Sequence, residues 1–417
     1  MSSILIKNAI LEGVKKDILI IDSLIKKIDI DIDYKADKLI DAKRKWVIPG
    51  FINMHTHAAM TMMRGIGEDM YLIEWLQNKI WPVEKKLDDE MVYWGSRLAA
   101  LEMTKTGTTT FNDQYWRVPA SVKAIDEAGL KSFQPFVILD QMDESKAGKI
   151  KEECEVLYQQ SKSWSNLHSF AIGIHSPYSV SEDMIVWGTE YARKRGLKVH
   201  IHLSETEWEN NESLKKHGLT PSEYLEKIGV LGPDVIAAHS LWLSDHDIEI
   251  LAKYKVNVVH NINSNLKIAS GYKFRYNELK AAGINVTLGT DGCASSNNLD
   301  MLETMKTSAL VQKAWRYDPT SLPLKELMSL ATVNGGKALG LKTGLVEEGW
   351  IADISLVNTN NYAFTPNIDF LANLVYSANS SCIDTVISNG KVIMENRVVP
   401  GEDEIIENVN RLYKKLL

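Results

Sequence analysis

Five chemically loaded residues, widely separated along the chain, each close a short apolar run. His55 and His57 sit in PGFINMHTH, His202 in VHIHLSET, His239 in IAAHSLWL and Asp291 in VTLGTDG. Each run reads as a buried strand, and the five positions span more than half of the 417 residues. Side chains this distant share one site only where their strands gather around a common axis. A parallel barrel does this, because it presents all its strand ends at a single rim.

The rest of the central chain agrees. Eight apolar runs recur at 51–57, 107–113, 132–140, 170–178, 198–205, 235–243, 256–264 and 285–291. Between them lie amphipathic stretches such as DEMVYWGSRLAALEMTKTG and EDMIVWGTEYARKRG, with apolar residues at helical spacing and a closing glycine. Alternating strands and helices predict an α/β fold, a (β/α)8 TIM barrel spanning 50–345. The two ends are written differently. Residues 1–49 and 346–417 alternate apolar and polar in short pieces, and Glu12-Gly13 and Asn389-Gly390 mark tight turns. Asn-Gly between alternating runs is a hairpin signal, since both residues tolerate positive φ. The expected arrangement is a small β-sandwich domain built from both termini, with a terminal helix at its C-terminal end and the barrel inserted between the halves.

Composition narrows the functional class. A net charge of −7 argues against a surface that tracks nucleic-acid phosphates. Three cysteines, Cys154, Cys293 and Cys382, are too few and scattered for a disulfide framework or a cysteine-rich zinc site. No apolar run approaches the roughly 20 residues that span a bilayer, and the first residues lack a secretory pattern, so a cytoplasmic protein is expected.

His55 and His57 are two apart on a strand, so their imidazoles share a face. With His202 as a third nitrogen and Asp291 as an oxygen, the set suits zinc with a water in the remaining position. Fe2+ or Mn2+ is an acceptable substitute. An ion there would bring the pKa of a bound water towards neutrality, which points to hydrolysis. Glu205, three residues past His202, could carry a proton to and from a heterocyclic nitrogen; taken alone, it reads more readily as a loop carboxylate in solvent. His239 could stabilise developing charge or serve as a structural histidine. His200 reads as barrel filling or a contact behind the ligands, and His260 as pocket lining or loop support. His168, His217 and His246 lie in polar contexts and read as surface residues.

Seven stretches together resemble the amidohydrolase superfamily, and within its cytosine-deaminase-like branch the 5'-methylthioadenosine/S-adenosylhomocysteine deaminase family. They are PGFINMHTHAAMTMMRGIGED, WPVEKKL, GIHSPYSVS, HIHLSET, AAHSLWL, HNINSNLKIASG and LGTDGCASSNNLDM, in family order from 49 to 301. The resemblance implies a metal-dependent aminohydrolase acting on the cyclic amidine C–N bond of an adenine nucleoside modified at its 5' position. It makes His55, His57, His202 and Asp291 the ligands of one zinc per subunit, Glu205 the proton shuttle, and His239 the partner of the catalytic water. Asp291 also takes part in catalysis. Glu84 would hold ribose hydroxyls and His175 the sugar or its 5' substituent. Trp75 and Trp81 would belong to an apolar lid, or simply to the core. It further implies a homo-oligomer, dimer or tetramer. The same machinery on another ring, such as guanine, a pterin, cytosine or an s-triazine, is the alternative. One departure bears on the substrate: the family carries arginine near the end of strand three, whereas this chain has Phe136 and no arginine between 118 and 192. Phenylalanine does not replace a planar bidentate donor, so a less polar 5'-deoxy or thioether nucleoside is favoured over one bearing a carboxylate.

Overall fold

The computed structural model describes residues 2–416. Its first five strands are β1 (Ser3–Leu11), β2 (Val14–Ile21), β3 (Leu24–Asp29), β4 (Lys38–Asp41) and β5 (Lys45–Pro49). The next eight are β6 (Phe51–Thr56), β7 (Thr108–Asp113), β8 (Lys131–Ile138), β9 (His168–Ile174), β10 (Val199–Leu203), β11 (Val235–His239), β12 (Asn257–His260) and β13 (Asn285–Leu288). The last three are β14 (Ile354–Asn358), β15 (Ile383–Ser388) and β16 (Lys391–Met394).

Strands β6 to β13 pair in sequence order, all parallel. They form the expected barrel: six strands lie inside their apolar runs, while β8 begins one residue and β9 two residues before theirs. The last strand returns to the first: the Asp291 amide donates to the His55 carbonyl at 3.0 Å, and Asn53 Nδ2 to Thr290 Oγ1 at 2.7 Å. Gly289 permits this approach, because a Cβ there would lie 2.8 Å from the His55 nitrogen and 2.5 Å from Asn261 Oδ1. Two of the five chemically loaded residues therefore sit on the closing seam.

The terminal strands make a second sheet, ordered β16-β15-β14-β5-β1-β2-β3, with β4 also paired to β1. The two chain ends meet where β14 runs antiparallel to β5, Ile354 opposite Pro49. Ile6, Ile18, Ile20, Ile354 and Leu356 bury one face of that sheet. Both predicted turns are present, with φ of 50° and 81° at Glu12 and Gly13 and 48° and 75° at Asn389 and Gly390. The terminal helix Glu402–Leu412 reaches away from this sheet, and its Leu412 is buried with Met91 and Val92 of the barrel helix Asp89–Lys105. Among the described residues no helix is long and apolar enough to cross a membrane.

The junction between sheet and barrel is charged. Lys131, the first residue of β8, forms a buried ion pair with Asp353 beside β14, and Thr343 Oγ1 donates to the same carboxylate. The Asn389 amide also donates to it at 2.8 Å. One sequence expectation is corrected at this same end of the barrel. His168 is buried at the start of β9, its Nδ1 2.8 Å from Ser132 Oγ and its Nε2 3.3 Å from Asp126 Oδ1. Its polar-looking neighbours conceal partners supplied by other elements.

Candidate metal and active site

At the opposite end the strand termini enclose a cavity of about 380 Å3. His57, His202, His239, Glu205, Asp291, Glu84, Trp81 and His175 all line it. His55 lies beneath, fully buried, at the end of β6.

The imidazoles are aimed by backbone carbonyls. His57 Nδ1 is 2.6 Å from the Gln114 carbonyl, and His202 Nδ1 is 2.6 Å from the His175 carbonyl. A carbonyl only accepts, so each ring carries a proton on Nδ1, and in the neutral ring the Nε2 lone pair is free. His55 Nδ1 lies 2.9 Å from His200 Nε2, which places His200 behind a candidate ligand. His55 Nε2 and His57 Nε2 approach Asp291 Oδ1 at 3.3 and 3.1 Å. The other Asp291 oxygen accepts from Ser264 Oγ at 2.6 Å and Ser295 Oγ at 2.8 Å. Oδ1 is thus the oxygen turned towards the histidines, and neither it nor His55 Nε2 has a hydrogen-bond partner among the described residues.

Buried polar atoms are normally paired, so two facing orphans, one nitrogen and one carboxylate oxygen, fit a cation. The ligand atoms of His55, His57 and Asp291 lie within 4.8 Å of one another, as do those of His55, His202 and His239. The two groups share His55, and imidazole and carboxylate donors gathered this closely, with outer partners fixing their orientation, could hold a divalent metal ion.

Electrostatics keep His55, His200 and His202 neutral, whereas Asp291 draws His57 towards its charged form. Burial pulls His55 down to about 4 and takes His200 and His202 well below the usual histidine range. Burial also opposes charge on His57, but Asp291, the Gln114 carbonyl and Asp113 outweigh it and push that ring up to about 9. Burial raises Glu205, whose Oε1 is 3.9 Å from His239 Nδ1, and it raises Glu84 likewise. His239 Nδ1 is 2.8 Å from Asn265 Oδ1, so Asn265 sets the ring's orientation.

His260 lies outside the cavity wall and stacks on Phe274, its ring centroid 3.9 Å away. Phe136 packs into the barrel's outer core, and the neighbouring wall is formed by Val137 and Leu139. Lys85 is the sole lysine or arginine among the residues lining the cavity. Sequence reasoning missed the carbonyls of Gln114 and His175, for which residue type carries no signal. It also passed over Ser264, Asn265 and Ser295, although all three lie inside the motif stretches HNINSN and DGCASS.

Residues 46–393 match the model of the Amidohydrolase family. The chain belongs to that family. It is 44% identical over 399 residues to a 5-methylthioadenosine/S-adenosylhomocysteine deaminase of Thermococcus sibiricus, covering 94% of each chain. Over 432 residues it is 42% identical to a 5'-deoxyadenosine deaminase of Methanosarcina barkeri, covering 100% of this chain and 99% of the other. Among solved structures it resembles an adenosine deaminase from Xanthomonas campestris with bound zinc, with a TM-score of 0.93 at 28% identity over 99% of this chain and 98% of that one. Family, geometry and relatives agree on a metal-dependent hydrolytic aminohydrolase.

Proposed function

We propose that this protein deaminates adenine nucleosides whose 5' position carries a neutral group, releasing ammonia and the inosine analogue, with zinc as its metal. Overall, water replaces the exocyclic amine: the C–N bond to nitrogen breaks, a C=O forms, and the amine leaves as ammonia.

His55, His57, His202 and Asp291 would hold the ion, which supplies Lewis acidity and acidifies water. Glu205, raised by burial and standing at the cavity wall, delivers a proton to the ring nitrogen beside the attacked carbon. Asp291 Oδ1 receives a proton from the attacking water and passes it to the departing amine. His239, held by Asn265, hydrogen-bonds the water and favours charge developing at the new oxygen. Glu84 accepts from ribose hydroxyls, with His175 and Trp81 completing the sugar side. The reading includes a cytoplasmic enzyme that assembles as a dimer or tetramer, which light scattering measures.

A single observation supports a neutral 5' group: Val137 and Leu139 form the wall at the end of β8, and Lys85 is the one lysine or arginine among the described residues lining the cavity. An amino-acid tail would bury its carboxylate there without a planar donor. The test is ammonia release by the zinc-loaded enzyme from 5'-deoxyadenosine, 5'-methylthioadenosine, adenosine and S-adenosylhomocysteine. The first two should be the preferred substrates. Turnover of none of the four would reject the proposal, and a preference for S-adenosylhomocysteine would reject the neutral 5' group.

A further inference from the structure

Glu209 belongs to the helix Glu207–His217, and it is the one buried residue of that polar helix. A carboxylate withdrawn from water on an otherwise solvated helix needs partners that repay its desolvation. It has two, which offset the desolvation only in part, since burial still pushes the carboxyl up to about 8, and neither lies within the helix. Oε1 accepts from the Ser204 amide at 2.9 Å and Oε2 from the Glu205 amide at 2.8 Å.

Helix capping does not account for this. The cap is Thr206, whose Oγ1 accepts from the Glu209 amide at 3.1 Å. In a capping box the third helical residue reaches back to the cap's own amide. Here it reaches past the cap, to the two residues before it. Those two form the turn that carries Glu205, and the turn is strained, with Ser204 at φ 47°. The Ser204 carbonyl is held from the other side by the amides of Leu241 at 3.0 Å and Trp242 at 2.9 Å, two and three residues after His239.

We infer that Glu209 is a positioning residue whose carboxylate clamps the Ser204–Glu205 main chain and thereby aims the Glu205 carboxyl at the reacting ring. The inference rests on Glu205 being the proton carrier. A group that transfers a proton must sit within hydrogen-bond reach of its target, and a displacement of about 1 Å can cost roughly 100-fold in rate. A strained turn relaxes when released, so Glu209 would hold Glu205 in register at no cost to substrate contacts.

Glu209 also borders a second cavity of about 220 Å3, shared with Tyr178, Trp208 and Lys216. Tyr178 separates this space from the substrate cavity, since it lines both. A small carboxylate could therefore occupy the gap left by removing the Glu209 side chain.

The experiment uses the metal-loaded full chain. Glu209→Gln, whose amide NH2 would oppose one of the two N–H groups, should lower kcat by about 10–100-fold, the range for outer-sphere positioning groups, with KM and bound metal unchanged. Glu209→Ala should lose at least as much and regain several-fold with added formate, which should do nothing for wild type or Glu205→Gln. Thr206→Ala removes the cap and leaves the clamp, so kcat should hold while the denaturation midpoint falls. Unchanged kcat in Glu209→Gln, a loss that follows metal content, or an equal loss in Thr206→Ala would each overturn the proposal. Should the Glu209 variants fail to fold, hydrogen exchange on the wild-type holoenzyme decides: the Ser204 and Glu205 amides should be as protected as barrel strands, and loop-like exchange overturns the clamp. Wild type inactive on every adenosine analogue removes the premise about Glu205, whereas active wild type with an indifferent Glu209→Gln removes the clamp alone.

Discussion

The two ends of the barrel bury charge in opposite ways. At the end facing the terminal sheet, Lys131 and Asp353 neutralise each other, and Thr343 and the Asn389 amide satisfy the remaining capacity of the carboxylate. At the mouth, His55 Nε2 and Asp291 Oδ1 face each other without hydrogen bonds, and Glu205 stands buried beside His239. The mouth also carries left-handed backbone beside its functional groups: φ is 47° at Ser204, 68° at His239, 46° at Ser240 and 62° at Asp291. Non-glycine residues in that region cost on the order of 1–3 kcal/mol each. One end is therefore arranged for stability and the other holds groups ready for a cation and a substrate, a division that follows strand polarity in barrels of this kind.

Substitutions at the two ends should separate activity from stability. The largest expected effect is at the mouth. Glu205→Gln and Asp291→Asn remove proton carriers, so ammonia release should fall by about 10²–10⁴-fold. The denaturation midpoint of Glu205→Gln should stay level or rise, because the change relieves a carboxyl whose ionisation burial opposes; Asp291, held ionised by His55 and His57, offers no such relief. A drop in the Glu205→Gln midpoint comparable to that of a variant at the other end would show that this part of the mouth contributes to stability as well.

At the opposite end Lys131→Met should do the reverse. It leaves Asp353 buried without its cation, at a cost of about 3–5 kcal/mol, seen as a lower urea midpoint and a reduced folded yield. Turnover per folded molecule should not change. Adding Asp353→Leu should recover only part of the loss, since Thr343 and the Asn389 amide then lose their acceptor. Full recovery would make those two hydrogen bonds dispensable.

Glu84 lies between these extremes, at the cavity wall. Glu84→Gln keeps the shape and weakens charge-assisted hydrogen bonds to ribose, worth about 1.5–3 kcal/mol. KM for 5'-deoxyadenosine should rise roughly 10-fold or more on that basis, with kcat and midpoint little altered. A fall in kcat with KM unchanged would move Glu84 from binding to the chemical step.

The mouth was largely legible before the fold was known, and the opposite end was not. His55, His57, His202, His239 and Asp291 each follow an apolar run, so strand polarity alone sends them to one rim. The acceptors that aim them are main-chain carbonyls at Gln114 and His175, which any residue could provide. Lys131 and Asp353 are 222 residues apart and carry no local pattern. His168 looked exposed for the same reason, its partner Ser132 lying 36 residues away in another strand. Glu209 sits in the sequence EWENNESLKKH, where nothing distinguishes it from the solvated glutamates around it. Periodic burial and turn chemistry are written locally, whereas polar pairing across elements becomes visible only once those elements are in place.

The smallest expected effect tests the one local signal that reaches the buried ion pair. Asn389 and Gly390 join β15 to β16 with φ of 48° and 75°, and the Asn389 amide donates to Asp353. Asparagine visits the left-handed region more readily than other residues with a Cβ. Asn389→Ala should therefore cost about 1 kcal/mol, the lower end of the left-handed penalty, while the amide that Asp353 needs remains. Asn389→Gly should be close to neutral. The urea midpoint orders the three proteins, and turnover should be the same in all of them. Were Asn389→Ala to destabilise as much as Lys131→Met, the turn would be essential to the buried pair, and the pairing of charge at that end would depend on a hairpin that the sequence announces in two residues.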